Sequence, residues 1–193
     1  MLGFLFRKVL LRMLMAMAVP PALIFARYLA RASRRLEQVQ WANQTVVTRR
    51  LELFAAIAPD LNKLLCFATF VGSWKELQPG DVVTIKRRLD ETMYANRVLF
   101  SDQLFEAYRH FMTTLFAMWT STDADAPLRA PIESGWGSRR NMRWWDDSMI
   151  AFFSTTDPSS TDDIQEAYEE LSERFRADLY VTGQTPVLAA SRT

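Results

Sequence analysis

The sequence is short of the residues that build metal sites and disulfide frameworks. It contains one cysteine and one histidine in 193 residues. A single cysteine excludes a disulfide framework within the chain, and a single histidine leaves little room for a histidine-based zinc site. Glycine and proline number six and eight, too few for the frequent turns of an all-β sandwich. These absences exclude zinc fingers, most metallohydrolases and small disulfide-rich domains, and they leave the activity open.

Bulky apolar side chains are what the sequence has in quantity. Hydrophobic residues make up 49% of the chain, with thirteen phenylalanines, nine methionines and six tryptophans. The length suits one domain with an appended segment.

The charges are distributed unevenly along the chain. Residues 1–50 hold nine basic residues and one acid, a net charge of +8, whereas residues 111–193 carry a net charge of −6. A basic head on an acidic body predicts that the head meets an anionic surface, and the candidates are phospholipid headgroups and nucleic acid. Because the body is acidic overall, nucleic acid is the disfavoured partner.

The basic head contains a long apolar stretch. Residues 13–26 carry no charge, and extension of this run to Val9–Ala30 gives 22 residues, about 33 Å of helix, enough to cross a bilayer core. Pro20 and Pro21 would kink such a helix. We therefore predict a basic N-terminal membrane anchor over residues 1–35, with the span at about 9–30. Its flanking cations are Arg7, Lys8, Arg12, Arg27, Arg31, Arg34 and Arg35.

Other interpretations of the head stay open. It could lie flat as an interfacial helix, form an ordinary buried helix, or be cleaved as a signal peptide at Ala30-Arg31-Ala32. Residues 1–36 contain no acid, which also fits a mitochondrial presequence. For a spanning anchor, the cations that follow the span favour a single-pass protein with a cytoplasmic C-terminal body, although the bias is small.

The body shows helical spacing throughout, which predicts an all-α domain of five or six helices over residues 36–182, followed by a tail at 183–193. We expect an interruption at Ala58-Pro59-Asp60, a helix stop at Gly72 and Thr161 as the N-cap of the last helix. The predicted helices cover residues 36–57, 61–71, 79–96, 101–119, 139–153 and 161–182, and the predicted loops cover 72–80, 120–138 and 154–160.

The sequence contains few residues that could form a catalytic or ligand-binding site, and each of them also has a purely structural explanation. His110 lacks a partner in sequence, and Cys66 lies in an apolar run where cysteine usually behaves as a small hydrophobe. The adjacent acids Asp146-Asp147 and Asp162-Asp163 point in different directions on a helix. No phosphate-binding glycine loop or nucleophile motif is present in the sequence. The sequence therefore assigns no catalytic, cofactor-binding or metal-binding residue.

Basic residues next to aromatic ones are the best candidates for contact with a partner. Lys86, Arg87 and Arg88 should spread over the solvent side of a helix that buries Ile85 and Leu89. Other candidates lie in the Trp74–Gly80 loop, in the 120–138 loop and beside the Trp144-Trp145 pair. The complete set of predicted contacts is Trp74, Lys75, Lys86, Arg87, Arg88, Arg139 and Arg140.

Several short motifs between Trp41 and Arg129 carry a resemblance. They are Trp41 with Gln44, Arg49-Arg50-Leu51-Glu52, Ala58-Pro59-Asp60-Leu61-Asn62, Val71-Gly72-Ser73-Trp74-Lys75 with Pro79, Lys86-Arg87-Arg88-Leu89-Asp90, Leu99-Phe100-Ser101, Asp123-Ala124-Asp125-Ala126 and Leu128-Arg129. In these motifs the chain resembles a family of small, membrane-anchored, all-helical bacterial proteins without an assigned activity. The resemblance covers about half the chain, implies a bacterial origin and a membrane-tethered body, and brings no catalytic residues.

The sequence thus predicts a membrane-tethered helical module that interacts with or regulates a protein partner, or a second copy of itself, beside membrane lipid. One alternative is an effector whose oligomerised anchors perturb the bilayer. Another is an enzyme with a site built from scattered Asp, Glu and Arg.

Overall fold

The computed structural model describes residues 43–117 and 125–180, together with Leu29, Arg31, Ser33, Arg34, Glu37 and Trp41. The chain divides into two compact units, Met1–Val46 and Val47–Thr193.

In the first unit every described residue is helical. The Arg31 and Arg34 side chains are exposed. The predicted span at 9–30, apart from Leu29, lies outside the described residues, as do Arg7, Lys8, Arg12, Arg27 and Arg35, and the predicted tail at 183–193. No helix in the described part of the chain is long and apolar enough to cross a membrane.

The second unit is a bundle of α-helices, which agrees with the predicted all-α class. Its described residues form four long α-helices and one small hairpin. The elements are α1 (47–69), α2 (Pro79–Ala95), α3 (Asp102–Leu115), the antiparallel strands β1 (Glu133–Ser134) and β2 (Gly137–Ser138), and α4 (Thr161–Tyr180). Short 3₁₀ segments lie at Trp74–Glu76, Arg97–Leu99, Arg139–Asn141 and Asp147–Phe152.

Helix α1 continues through Pro59, so the predicted interruption at Ala58-Pro59-Asp60 is wrong. Pro59 lies on the exposed side, while a continuous apolar face is buried against the rest of the bundle. Proline within a helix costs about 3 kcal/mol, whereas each large aliphatic or aromatic side chain gains about 1.5–3 kcal/mol on full burial. The buried face, which outweighs that cost, consists of Leu53, Ile57, Leu61, Leu64 and Phe67.

Helix α1 ends at residue 69, before the predicted glycine stop. The Val71 amide donates to the Cys66 carbonyl at 3.1 Å, and Phe70 takes the left-handed conformation with φ 61°. This is the usual C-terminal capping arrangement, but the left-handed position is normally glycine. Gly72, with φ 58°, therefore lies in the turn after the helix and is not the residue that ends it.

Helices α2 and α3 follow the predicted spacing. Val82, Ile85, Leu89 and Met93 are buried on α2, as predicted. On α3 the predicted stripe from Leu104 to Leu115 is also buried. The Ser101 hydroxyl caps α3 by accepting a hydrogen bond from the Leu104 amide at 3.1 Å. The helix ends earlier than predicted, because Phe116 turns into an extended segment that bridges Leu128.

The predicted helix at 139–153 does not form. The segment instead contains two 3₁₀ turns joined by irregular backbone. Asn141, two tryptophans, two aspartates and Ser148 follow one another closely here, and all of them are weak helix formers. Asp146 binds the Ser148 amide at 2.8 Å, which offers the backbone an alternative to helical hydrogen bonds. The loop predicted at 120–138 also contains the β1–β2 hairpin.

Helix α4 packs along α3 and completes the core. Its N-cap is Ser160 and not Thr161: the Ser160 hydroxyl accepts from the Asp163 amide at 3.0 Å, and Asp163 accepts from the Ser160 amide at 3.2 Å. This reciprocal capping box places the N-cap one residue before the predicted one, and the helix begins at Thr161. The Phe175 ring meets Phe54 of α1 at 5.0 Å between centroids, so α1, α3 and α4 share one core.

Arg50 fixes the C-terminal end of α4 against α1. Its guanidinium donates to the carbonyls of Leu99 at 2.5 Å and Asp178 at 2.8 Å. The buried Asp178 carboxylate accepts in turn from the Ser101 amide at 2.7 Å. One arginine thereby joins α1, the turn before α3, and α4.

Candidate functional site

The structure separates the predicted contact residues into two groups. Lys86, Arg87 and Arg88 lie together on α2. The other four, Trp74, Lys75, Arg139 and Arg140, meet where the Trp74–Glu76 turn contacts the hairpin and the segment after it. Residues far apart in sequence therefore assemble into one cluster.

Each cation of the α2 group has an acidic partner. Lys86 Nζ lies 2.6 Å from Asp90, Arg87 Nη2 lies 2.5 Å from Asp125, and Arg88 Nη2 lies 2.6 Å from Asp60. The Arg88 pair crosses from α2 to α1, and Asp60 is mostly buried. Arg88 therefore contributes to the packing of the two helices, although its own side chain is largely exposed.

Arg139 is the centre of the second group and is fully buried, with 0% exposure. Its guanidinium carbon lies 4.0 Å from the ring centroids of both Phe67 and Phe70, and 5.7 Å from that of Trp74. A planar guanidinium stacks on aromatic faces and is attracted by the ring quadrupole. The aromatic rings thus partly replace the water that Arg139 loses on burial.

The Arg139 charge also meets the C-terminal end of α1. Nη2 donates to the Phe67 carbonyl at 2.5 Å, one of the last carbonyls of that helix, where the helix dipole favours a cation. Nε and Nη1 have no hydrogen-bond partner among the described residues. Burial lowers the pKa of the Arg139 guanidinium to about 9, so it remains protonated at neutral pH.

The aromatic shell around Arg139 holds the hairpin tightly. The Phe70 and Trp74 rings meet edge to face at 4.9 Å between centroids. Gly137 of β2 packs directly on Trp74, because a Cβ at this position would lie 3.1 Å from the indole Cζ2. A side chain at residue 137 would push the strand away from the indole, so this glycine sets the position of the hairpin.

The hairpin presents an exposed tryptophan. Trp136 lies in the turn between β1 and β2 and is 85% exposed. Its amide donates to the Ser134 hydroxyl at 3.1 Å, which stabilises the turn. Tryptophan side chains are on average largely buried in folded proteins. The exposure of Trp136 on an ordered turn therefore suggests that this side chain contacts a partner.

Two exposed cations lie on segments next to the hairpin, Arg140 after β2 and Lys75 on the turn whose Trp74 packs against Gly137. Arg140 Nε lies 3.4 Å from the Glu133 carboxylate of β1, and its guanidinium lies 5.8 Å from the Trp145 ring. Lys75 is exposed, and its carbonyl accepts from Trp144 Nε1 at 2.8 Å. We call the exposed set Lys75, Trp136 and Arg140 the hairpin surface.

The structure changes the set of predicted contacts in two ways. Trp74 is only 4% exposed and Arg139 is buried, so these two residues support the hairpin surface from below and are not exposed contacts. Trp136 is absent from the predicted residues, although it lies in the 120–138 loop that the sequence predicts as a candidate contact surface. The alternation Gly135-Trp136-Gly137 between two polar segments is the sequence signal that favours a hairpin turn here.

Among the remaining candidates, His110 and Asp163 line one open cavity of about 670 Å³ together with Arg129 and several glutamates of α4, whereas Cys66 and Asp146 do not line it. His110 is exposed on α3 and Cys66 is half-buried on α1. Asp146 caps the Asp147–Phe152 turn, and hydrogen bonds from Ser148 lower the pKa of its carboxyl. Within the described ranges, no group of three or more His, Cys, Asp or Glu side chains could hold a metal ion.

Chemically, the hairpin surface offers an indole and two cations on a fixed support, which is suited to binding and not to bond breaking. No known family model, characterised protein or solved structure matches this chain. The resemblance to membrane-anchored helical bacterial proteins therefore stays a prediction.

Proposed function

We propose that this chain is a membrane-tethered helical module that acts by binding a protein partner through the hairpin surface. The tether rests on the apolar stretch Val9–Ala30 and its flanking cations, which are sequence features. The binding role rests on the described body.

The observation that carries the binding role is the exposure of Trp136. A tryptophan can bury about 150–250 Å² in a contact, which at about 25 cal/mol per Å² is worth roughly 4–6 kcal/mol before the costs of association. Tryptophan and arginine are the residues most enriched at the energetic centres of interfaces. Trp136 in the hairpin turn and Arg140 after β2 are both exposed and match that composition.

The support beneath the hairpin strengthens the proposal. Trp74 packs against Gly137, and the Arg139 guanidinium stacks on the Phe67 and Phe70 rings. A surface that is already ordered loses less conformational entropy when it binds.

Site-specific photo-crosslinking in the full chain tests the binding role. A photoreactive phenylalanine at position 136 should give a discrete crosslinked protein, either a partner or a second copy of this chain. The matched control is position 98, because Val98 is also apolar and is 91% exposed. Equal crosslinking at both positions, or none at position 136, would contradict the proposal.

A quantitative test follows once the crosslinked protein is known. Trp136→Ala should weaken its binding by about tenfold or more, the loss of roughly 1.4 kcal/mol or more expected at an interface centre. Val98→Ala should leave binding within about twofold.

The tether is tested separately. The full chain should resist extraction by alkaline carbonate and be released by detergent. Complete recovery in the carbonate supernatant would contradict a spanning anchor and leave the interfacial or cleaved alternatives.

A further inference from the structure

An apolar groove of about 360 Å³ lies between the N-terminal half of α1 and the last turns of α4. Its floor is formed by Phe54 and Phe175, whose ring centroids lie 5.0 Å apart. Leu51 of α1 and Leu179 of α4 form the two walls, and Leu51 is 49% exposed. The groove therefore offers apolar surface that the described part of the chain leaves uncovered.

The groove contains few groups that could hold a polar ligand. Ser172 and Arg176 are the polar residues that line it. The Ser172 hydroxyl is already engaged, because it donates to the Tyr168 carbonyl at 2.9 Å, and Arg176 is exposed. Small-molecule sites combine apolar walls with several convergent polar groups. The groove is therefore better suited to the apolar side chains of a polypeptide.

The chain leaves α4 directly beside this groove. Leu179 is followed by Tyr180, the last residue of α4. Residues 181–193 lie outside the described part of the chain, and in their sequence the first ten residues carry no charge and include the adjacent apolar pair Val187 and Leu188. Such a segment can enter an apolar groove without the cost of desolvating a charge.

The segment is long enough to bring the apolar pair back to the groove. Gly183 can adopt the left-handed conformation that ends a helix and reverses the chain. From there to Leu188 an extended chain covers about 16 Å, at roughly 3.3 Å per residue. The groove runs from Leu179 back to Ser172, about 11 Å along a helix at roughly 1.5 Å per residue. The extended segment therefore spans the groove.

We infer that residues 184–190 of this chain dock in the α1–α4 groove and place Val187 and Leu188 between Leu51 and Leu179. A segment attached to the end of α4 has an effective concentration in the millimolar range. At micromolar concentrations of the chain it therefore outcompetes the same segment of a second copy. The hairpin is supported by the other end of α1, so this docking does not depend on the proposed partner binding.

Disulfide trapping in the full chain tests the docking. In a Cys66→Ala background, Leu51→Cys is combined with Val187→Cys or with Leu188→Cys, because adjacent side chains of an extended segment point to opposite sides. In one of these two chains an intramolecular disulfide should form at least about fivefold faster than in the control chain.

The matched control has Val98→Cys in place of Leu51→Cys. Val98 is 91% exposed and lies near the end of α4, because the Ser101 amide three residues later binds the Asp178 carboxylate at 2.7 Å. A segment without a docking site would reach position 98 as readily as position 51. Equal or faster trapping at position 98 would overturn the inference, and so would a disulfide formed mainly between two chains.

Maleimide labelling decides the question if no disulfide forms in any of these chains, since disulfides need specific geometry. In the chain with Leu51→Cys and Cys66→Ala, replacement of Val187 and Leu188 by aspartate should raise the labelling rate at least about threefold, because the groove is uncovered. Labelling of Val98→Cys should change by less than about 1.5-fold. Leu179→Cys reports on the same groove if Leu51→Cys fails to fold. An unchanged labelling rate in the groove would overturn the inference.

Discussion

Replacement of Arg139 tests whether this buried residue acts by its shape or by its charge. Arg139→Met removes the charge and keeps an unbranched apolar side chain. Arg139→Lys keeps the charge but replaces the flat guanidinium by a compact, strongly hydrated ammonium. The two variants therefore separate stacking from charge.

The magnitudes follow from the contacts of the guanidinium. Burial lowers the pKa of the guanidinium from its ordinary value to about 9, which corresponds to a desolvation cost of about 5 kcal/mol. The hydrogen bond to the Phe67 carbonyl offsets about 2 kcal/mol of this, and two desolvated cation–π contacts offset about 2 kcal/mol each. Arg139→Met removes the desolvation cost together with the hydrogen bond and the cation–π contacts. Because these opposing contributions nearly cancel, we expect it to lower the free energy of unfolding by only about 1–2 kcal/mol.

Lysine should be the worse replacement. It must still bury a charge, and its ammonium cannot stack on Phe67 and Phe70 together as a planar group does. Loss of the two stacked contacts predicts a decrease in the free energy of unfolding of about 3–4 kcal/mol.

Denaturant unfolding of the full chain, followed by tryptophan fluorescence and circular dichroism, measures both values. Arg140→Met is the control, because it removes an exposed cation at the next position, and it should change stability by less than about 0.5 kcal/mol. If Arg139→Lys were as stable as the unsubstituted chain while Arg139→Met was strongly destabilised, charge would be the essential property. The aromatic stacking argument would then be wrong.

Three further predictions concern other parts of the bundle. In a denaturant titration, Arg88→Gln should lower the free energy of unfolding by about 1 kcal/mol, because the mostly buried Asp60 loses its main ion-pair partner. Arg87→Gln should lower it by less than about 0.5 kcal/mol. Ser101→Ala should cost about 1 kcal/mol by the same measurement, through loss of the α3 N-cap, and Ser101→Gly should cost less. Burial raises the pKa of Tyr108 above its ordinary value of 10.0. The free energy of unfolding should therefore fall as the pH rises above about 10, because the phenol ionises there in the unfolded chain but not in the folded one. Thermal unfolding at several pH values should show a smaller fall for Tyr108→Phe.

The helices that the sequence predicts well are those whose apolar period matches the packing. The intervals along α2 and α3 correspond to side chains that are buried in the structure. Both helices also have local starting signals, Pro79 at the first turn of α2 and Ser101 before α3. Periodicity and capping are local properties, so a single sequence reports them directly.

The two main errors arise where tertiary contacts decide the outcome. Pro59 is a strong local signal for a break, but the buried face of α1 extends on both sides of it and outweighs the cost. The opposite error occurs at 139–153, where apolar residues recur at helical intervals but the backbone turns irregularly. Here the Asp146 carboxylate and the Ser138 hydroxyl accept hydrogen bonds from nearby backbone amides, and the Arg139 side chain is buried.

Burial of Arg139 could not be predicted from its neighbours in sequence. Arg139 and Arg140 are adjacent and identical in type, yet one is fully buried and the other is exposed. The difference is set by Phe67 and Phe70, which lie about seventy residues earlier and supply both the rings and the carbonyl. No periodic pattern connects these positions.

Three energetically costly features meet beneath the hairpin. Phe70 holds a left-handed backbone that costs a non-glycine residue about 1–2 kcal/mol, Arg139 buries a charge, and Gly137 gives up conformational freedom on folding. Phe70 ends α1, whereas the buried charge and the closely packed glycine lie in the connection between α3 and α4; costly features of this kind concentrate at functional sites. Their common effect is to fix the turn that exposes Trp136, so the strain itself favours the interpretation of the hairpin as a binding element. Disruption of the support by Phe70→Ala should therefore weaken partner binding even though Phe70 is buried. A change of similar cost in the α3–α4 core, such as Phe111→Ala, should leave the affinity of the folded chain unchanged.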